Sequence, residues 1–94
     1  MPAWFYILRL KSGALYVGAT TDLQQRYKDH CSGKACRTTS ADRPVAVVYS
    51  EQLETFSDAR RREAQVKRWS CEKREALARG DLETLHRLAK RRKP

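Results

Sequence analysis

Ninety-four residues make room for one domain with one small hydrophobic core, because a chain of this length buries only about 60 to 65% of its unfolded surface. Hydrophobic residues make up 40% and charged residues 33%, a balance that suits a globular domain, argues against disorder and leaves no apolar run long enough for a membrane span. Twenty Lys and Arg against eleven Asp and Glu give a formal charge of +9, so a polyanion is the expected partner, nucleic acid ahead of an anionic membrane.

The chain opens Met1-Pro2-Ala3 with no basic leader and no small-residue cleavage site, which reads as the entry to a strand and points to a cytoplasmic protein. Residues 4–10 are apolar and aromatic, Lys11-Ser12-Gly13 reads as a turn, and residues 14–19 resume the strand pattern, so a β-hairpin is predicted. Its register governs the placement of Tyr6 and Tyr16. A three-residue turn sets Tyr16 opposite Leu8 and Tyr6 opposite Gly18, with both phenols on one face; a two-residue turn separates them. With no side chain at Gly18, Tyr6 has room to lean toward Tyr16. The competing reading is a pair of sheet tyrosines that only pack.

Thr21-Asp22-Leu23-Gln24 matches a capping box, with Thr21 as N-cap, and Gly33 closes a helix over residues 22–32. Leu23, Arg26, Tyr27 and His30 share one of its faces, an unusual place for two cationic side chains. Residues 34–43 lack periodicity and hold Lys34, Arg37 and Arg43, which reads as a mobile loop able to meet a phosphate backbone. Pro44 then opens a third strand through Tyr49, apolar enough to be covered on both faces.

Thr55 or Ser57 caps the next helix, whose inward stripe is expected to run Phe56, Ala59, Glu63, Val66 and Ser70, with Lys67 and Arg68 outside it as further phosphate contacts. A carboxylate in the middle of an apolar stripe costs several kcal/mol if buried alone, so Glu63 should meet a cation, a metal ion or water. A helix from Ser70 to Arg79 ends at Gly80. Asp81 caps a last helix with Leu82, Leu85 and Ala89 on one stripe and His86 apart from them, before the basic tail Lys90-Arg91-Arg92-Lys93. Residues 1–80 are thus expected to form the domain, and residues 81–94 a C-terminal helix and tail. Cys31, Cys36 and Cys71 cannot all pair, which disfavours a disulfide scaffold; with His30 they could offer zinc ligands, although the spacing is not a paired CxxC arrangement.

Two tyrosines on one hairpin face, Arg26 and His30 a helical turn apart, and an inward Glu63 are the parts a phosphodiesterase needs: a base, a cation, and a carboxylate for a metal. At these positions the chain resembles the GIY-YIG nuclease family. Trp4-Phe5-Tyr6 stands for the first triplet and Tyr16-Val17-Gly18 for the second. Residues 21–26 with His30 match the helix that follows, and the likeness runs on through Arg43-Pro44-Val45, Tyr49-Ser50-Glu51 and residues 61–68. Within that family the chain looks like the small, single-domain bacterial members called YhbQ-like.

The resemblance implies a single small α/β (α+β) domain with a central three-stranded antiparallel sheet flanked by helices, cutting DNA with one divalent ion, Mg²⁺ or Mn²⁺, in repair or recombination. By position, Glu63 resembles the metal-binding carboxylate and Tyr16 the general base. Tyr6 would orient water and phosphate, Arg26 would neutralise the phosphate, and His30 stands beside the site. Trp4 occupies the place of the first triplet's glycine, Ala19 stands where some repair relatives have a lysine, and the chain contains no Asn, which several relatives use downstream of the glutamate. A non-catalytic nucleic-acid-binding module of the same fold is therefore the alternative. No obligate protein partner is evident.

Overall fold

The structure, a computed structural model, describes residues 2–81 and 83. Strand β1 (Ala3–Leu10) and strand β2 (Leu15–Thr20) form the hairpin, followed by helices α1 (Leu23–Ser32) and α2 (Arg37–Ala41), strand β3 (Pro44–Leu53), and helices α3 (Phe56–Lys67) and α4 (Cys71–Arg79). The sheet is antiparallel in the order β2-β1-β3. The expected last helix beyond Asp81, His86 and the basic tail lie outside the described residues.

The turn is the three-residue one. Leu10 N–H donates to the Ala14 carbonyl, Gly13 N–H donates to the Leu10 carbonyl, and Gly13 takes φ 97°, a value that favours glycine. Tyr6 therefore pairs with Gly18 and Leu8 with Tyr16. Because side chains alternate along a strand, Tyr6, Tyr16 and Leu8 share one face while Phe5, Ile7 and Val17 take the other.

Helices cover both faces. Phe5, Ile7 and Val17 pack with Val66 of α3 and Leu77 of α4, and burying each such side chain contributes about 1.5 to 3 kcal/mol. On the opposite face Tyr6, Leu8 and Leu10 pack with Tyr16 and with Leu23 and Tyr27 of α1. The strand covered on both faces is thus β1 and not β3. At the sheet edge, with register shifts opposite Ile7/Leu8 and Arg9/Leu10, β3 leaves Val45 58% exposed.

Three further expectations are corrected. The cap of α1 is Asp22, whose carboxylate accepts from Gln25 N–H, because the Thr20 hydroxyl already folds the end of β2 onto Asp22 and the anion also suits the helix dipole. Residues 34–43 are not a featureless loop: α2 forms there and buries Thr39 completely. Five residues are too few to hold a helix alone, so tertiary contacts stabilise it. In α3 the predicted stripe is right for Ala59 and Val66, but Phe56 is 41% exposed at the helix start and Ser70 lies beyond the helix as the N-cap of α4.

Candidate active site

The hairpin face carrying the phenols is closed over by α1. Tyr6 is buried and its phenol lies against the bare backbone of Gly18, where a Cβ would collide with Oη and Cζ. Tyr16 is half-buried beside it. His30, fully buried, sits edge-on to both rings, with centroids 5.8 Å from Tyr6 and 5.0 Å from Tyr16. Its Nε2 is 2.8 Å from Tyr6 Oη, and Nδ1 is 2.8 Å from Thr39 Oγ1. Arg26, one turn earlier on α1, brings its positive charge beside the Tyr6 phenol.

The electrostatics follow from this crowding. Burial raises the pKa of Tyr6, opposed by the neighbouring Arg26, with a further push upward from the charge of Glu63. Burial likewise raises Tyr16 well above the usual phenol value, and Arg26 again acts in the opposite direction. His30 is depressed, first by burial and then by the Arg26 charge, so its imidazole is neutral at pH 7 and has one bare nitrogen.

Glu63 arrives from α3. Its side chain is only 15% exposed and lies 2.7 Å from Lys67 Nζ and 3.7 Å from Arg60 Nε. Lys67, expected as a phosphate contact, thus neutralises the carboxylate in this state, and with Arg60 it supplies the cationic partners that a shielded Glu63 was expected to need. Arg26 and Arg60 both line an open cleft with Ala19, Thr20, Thr21 and Phe56. The Arg60 guanidinium stands 5.8 Å over the Phe56 ring.

Of the other basic residues, Lys34, Arg37 and Arg68 are exposed. Arg43 is engaged: its Nε donates to the Ser40 carbonyl and its Nη1 to the Cys31 carbonyl at 2.5 Å, tying α1 to α2. The zinc reading has no geometry behind it, since both His30 nitrogens have partners, Cys31 and Cys71 are exposed, and no group of three or more metal-ligating side chains occurs among the described residues. Sequence reasoning missed Thr39, Arg60, the exposure of Phe56, and the contacts that Cys36 makes with Tyr16 and Thr39. No periodicity marks α2, and Arg60 was legible only as a residue one turn before Glu63.

A small α/β domain whose hairpin face sets two phenols against a histidine and an arginine of the following helix has the frame of a nuclease domain. The chain belongs to the GIY-YIG family: the family described as the GIY-YIG catalytic domain matches residues 2–76. Within it the chain is similar to UPF0213 proteins. It is 40% identical to one from Bacillus pumilus over 77% of this chain and 74% of that one, and 37% identical to one from Staphylococcus saprophyticus over 76% and 87%. The solution NMR structure of the UPF0213 protein BH0048 from Bacillus halodurans shares the fold at TM-score 0.53 and 38% identity, with 82% of each chain covered. No described helix is long and apolar enough to cross a membrane.

Proposed function

We propose that the chain is a metal-dependent DNA endonuclease that hydrolyses phosphodiester bonds. The observation that carries this reading is the meeting of Tyr6, Tyr16, His30 and Arg26 on one face, with Arg26 also lining the cleft that Arg60 shares. A phosphate entering there would find two guanidiniums, which offset its charge and the charge that builds on it during cleavage.

Glu63 fits a hard divalent cation such as Mg²⁺ or Mn²⁺. It is a carboxylate, largely shielded, with Oε1 no closer than 3.7 Å to its Arg60 partner, and such ions bind through one or two carboxylates while keeping several waters. Bound there, the ion would supply Lewis acidity at the phosphate and lower the pKa of water. Tyr16 is the proposed base. Burial holds its phenol protonated in the free protein, so serving as base requires positive charge nearby, from Arg26 and from whatever cation replaces Lys67 at Glu63. Tyr6, held by His30 and facing the charge of Arg26, would orient the attacking water and the phosphate.

The test is cleavage of plasmid, branched and single-stranded DNA with Mg²⁺ or Mn²⁺, and with EDTA. Metal-dependent cutting that Glu63→Gln and Tyr16→Phe abolish is the expected result; cutting undiminished in both variants rejects the assignment. A second reading, a binding module without catalysis, is favoured by the ion pairs that already occupy Glu63. Its mark would be salt-dependent DNA binding that no metal converts to turnover.

A further inference from the structure

A path of hydrogen bonds joins the two phenols through α1 and α2. It runs from Tyr6 Oη to His30 Nε2 (2.8 Å), from His30 Nδ1 to Thr39 Oγ1 (2.8 Å), from Thr39 Oγ1 to Cys36 Sγ (3.4 Å) and from Cys36 Sγ to Tyr16 Oη (3.6 Å). His30 and Thr39 are fully buried, so their polar atoms depend on these partners.

Counting hydrogens gives the path a direction. The Cys36 thiol donates to Tyr16 Oη and has only one hydrogen, so toward Thr39 the sulfur accepts and the Thr39 hydroxyl donates. Having given that hydrogen, Thr39 Oγ1 accepts from His30, which places a hydrogen on Nδ1. A neutral imidazole then leaves Nε2 bare, and it accepts from the Tyr6 O–H.

We propose that Thr39 and Cys36 are positioning residues that fix His30 as its Nδ1–H tautomer, with the Nε2 lone pair held against the Tyr6 phenol and a thiol donor held against Tyr16. Neither touches substrate. Their catalytic consequence rests on the nuclease reading above, but the tautomer does not. A valine in place of Thr39 would fill nearly the same volume, so packing alone gives no reason for a hydroxyl at a fully buried position, where it costs stability unless bonded. Without that hydroxyl Nδ1 loses its acceptor, and the hydrogen can move to Nε2. The bond to Tyr6 then reverses: His30 donates, and the phenol has nowhere inside the site to send its proton.

The test begins on metal-free, DNA-free protein with ¹⁵N-labelled histidine, by long-range ¹H–¹⁵N correlation at pH 8. Wild type and Thr39→Ser are expected to show His30 protonated at Nδ1 and bare at Nε2, while Thr39→Val shows partial or full Nε2–H. Cys36→Ala frees the Thr39 hydroxyl to donate to Nδ1 and should move the tautomer the same way, which keeps the proposal testable if Thr39→Val does not fold. A wild-type His30 protonated at Nε2, or an unchanged Nδ1–H signal in folded Thr39→Val or Cys36→Ala, overturns it. In cleavage assays Thr39→Val is expected to lower kcat about tenfold or more with KM little changed, and Thr39→Ser to restore it. If wild type cuts nothing while the tautomer behaves as stated, the nuclease reading fails and the positioning of His30 stands.

Discussion

The Tyr6 phenol lies directly across the strand pair on Gly18, whose missing side chain is the space the ring occupies. Tyr6 is buried and held by His30, so it cannot swing aside for an added methyl group. Gly18→Ala is expected to destabilise the protein by about 1 to 3 kcal/mol through overpacking. It should also break the Tyr6–His30 hydrogen bond. Urea unfolding measures the first effect and the tyrosine hydroxyl and histidine signals in NMR spectra the second; a variant as stable as wild type would mean the ring relaxes more freely than this packing allows.

Lys67 Nζ stands 2.7 Å from Glu63 where a divalent ion would compete for the same carboxylate. Lys67→Met removes the competitor. Mn²⁺ binding followed by electron paramagnetic resonance should tighten roughly two- to fivefold, the effect of an exposed ion pair worth up to about 1 kcal/mol. Weaker binding would show that Lys67 assists the ion instead of excluding it.

Acid should weaken the fold first through His30. Its folded pKa is depressed below 6.5 by burial, so the unfolded chain takes up the proton first. Stability is then complete above pH 6.5 and declines as pH falls through that value toward the folded pKa, by at most about 1.4 kcal/mol per unit. Urea midpoints at pH 7.5 and 5.5 should differ in wild type and converge in His30→Gln. Equal slopes in the two proteins would contradict a neutral buried imidazole.

A separate, lower window belongs to the pair that ties β1 to α4. Arg9 Nη1 and Nη2 donate to the two Glu75 oxygens at 2.6 and 2.7 Å, and Nη1 also reaches the Gly13 carbonyl of the turn. Hydrogen bonding to Arg9 holds the Glu75 carboxyl below its ordinary 4.5. Its contribution is therefore present above pH 4.5 and lost as pH falls through the folded value. Glu75→Gln should cost about 1 kcal/mol at pH 7, a screened figure for a partly exposed bidentate pair, and progressively less as the pH is lowered below 4.5. A cost that does not shrink with falling pH would assign the effect to packing of the side chain.

Most of the site's membership was legible along the chain because it obeys local periodicities. Alternation puts both phenols on one face once the structure sets the turn at three residues, and the 3.6-residue repeat put Arg26 with His30 and Glu63 with Ala59 and Val66. The misjudged elements are those that local pattern does not determine. The apolar run of β3 looked like a central strand because composition records hydrophobicity and not position in the sheet, whereas strand order put it at an edge.

What the sequence by itself determined was the presence of the hairpin, the helix ends marked by Ser70, Gly33 and Gly80, the basic balance, and the family likeness, while the register of the hairpin was settled by the three-residue turn of the folded chain. What only the tertiary structure decided was who partners whom. Lys67 and Arg60 meet Glu63, Arg43 is used on the backbone of α1 and α2, and Thr39 reaches a histidine nine residues away through a helix too short to stand alone. The division has a physical reason. Strand alternation and amphipathic faces follow from backbone geometry repeated every two or 3.6 residues, while a buried polar group takes whichever partner the folded chain brings near, because leaving it unpaired costs more than any local preference supplies.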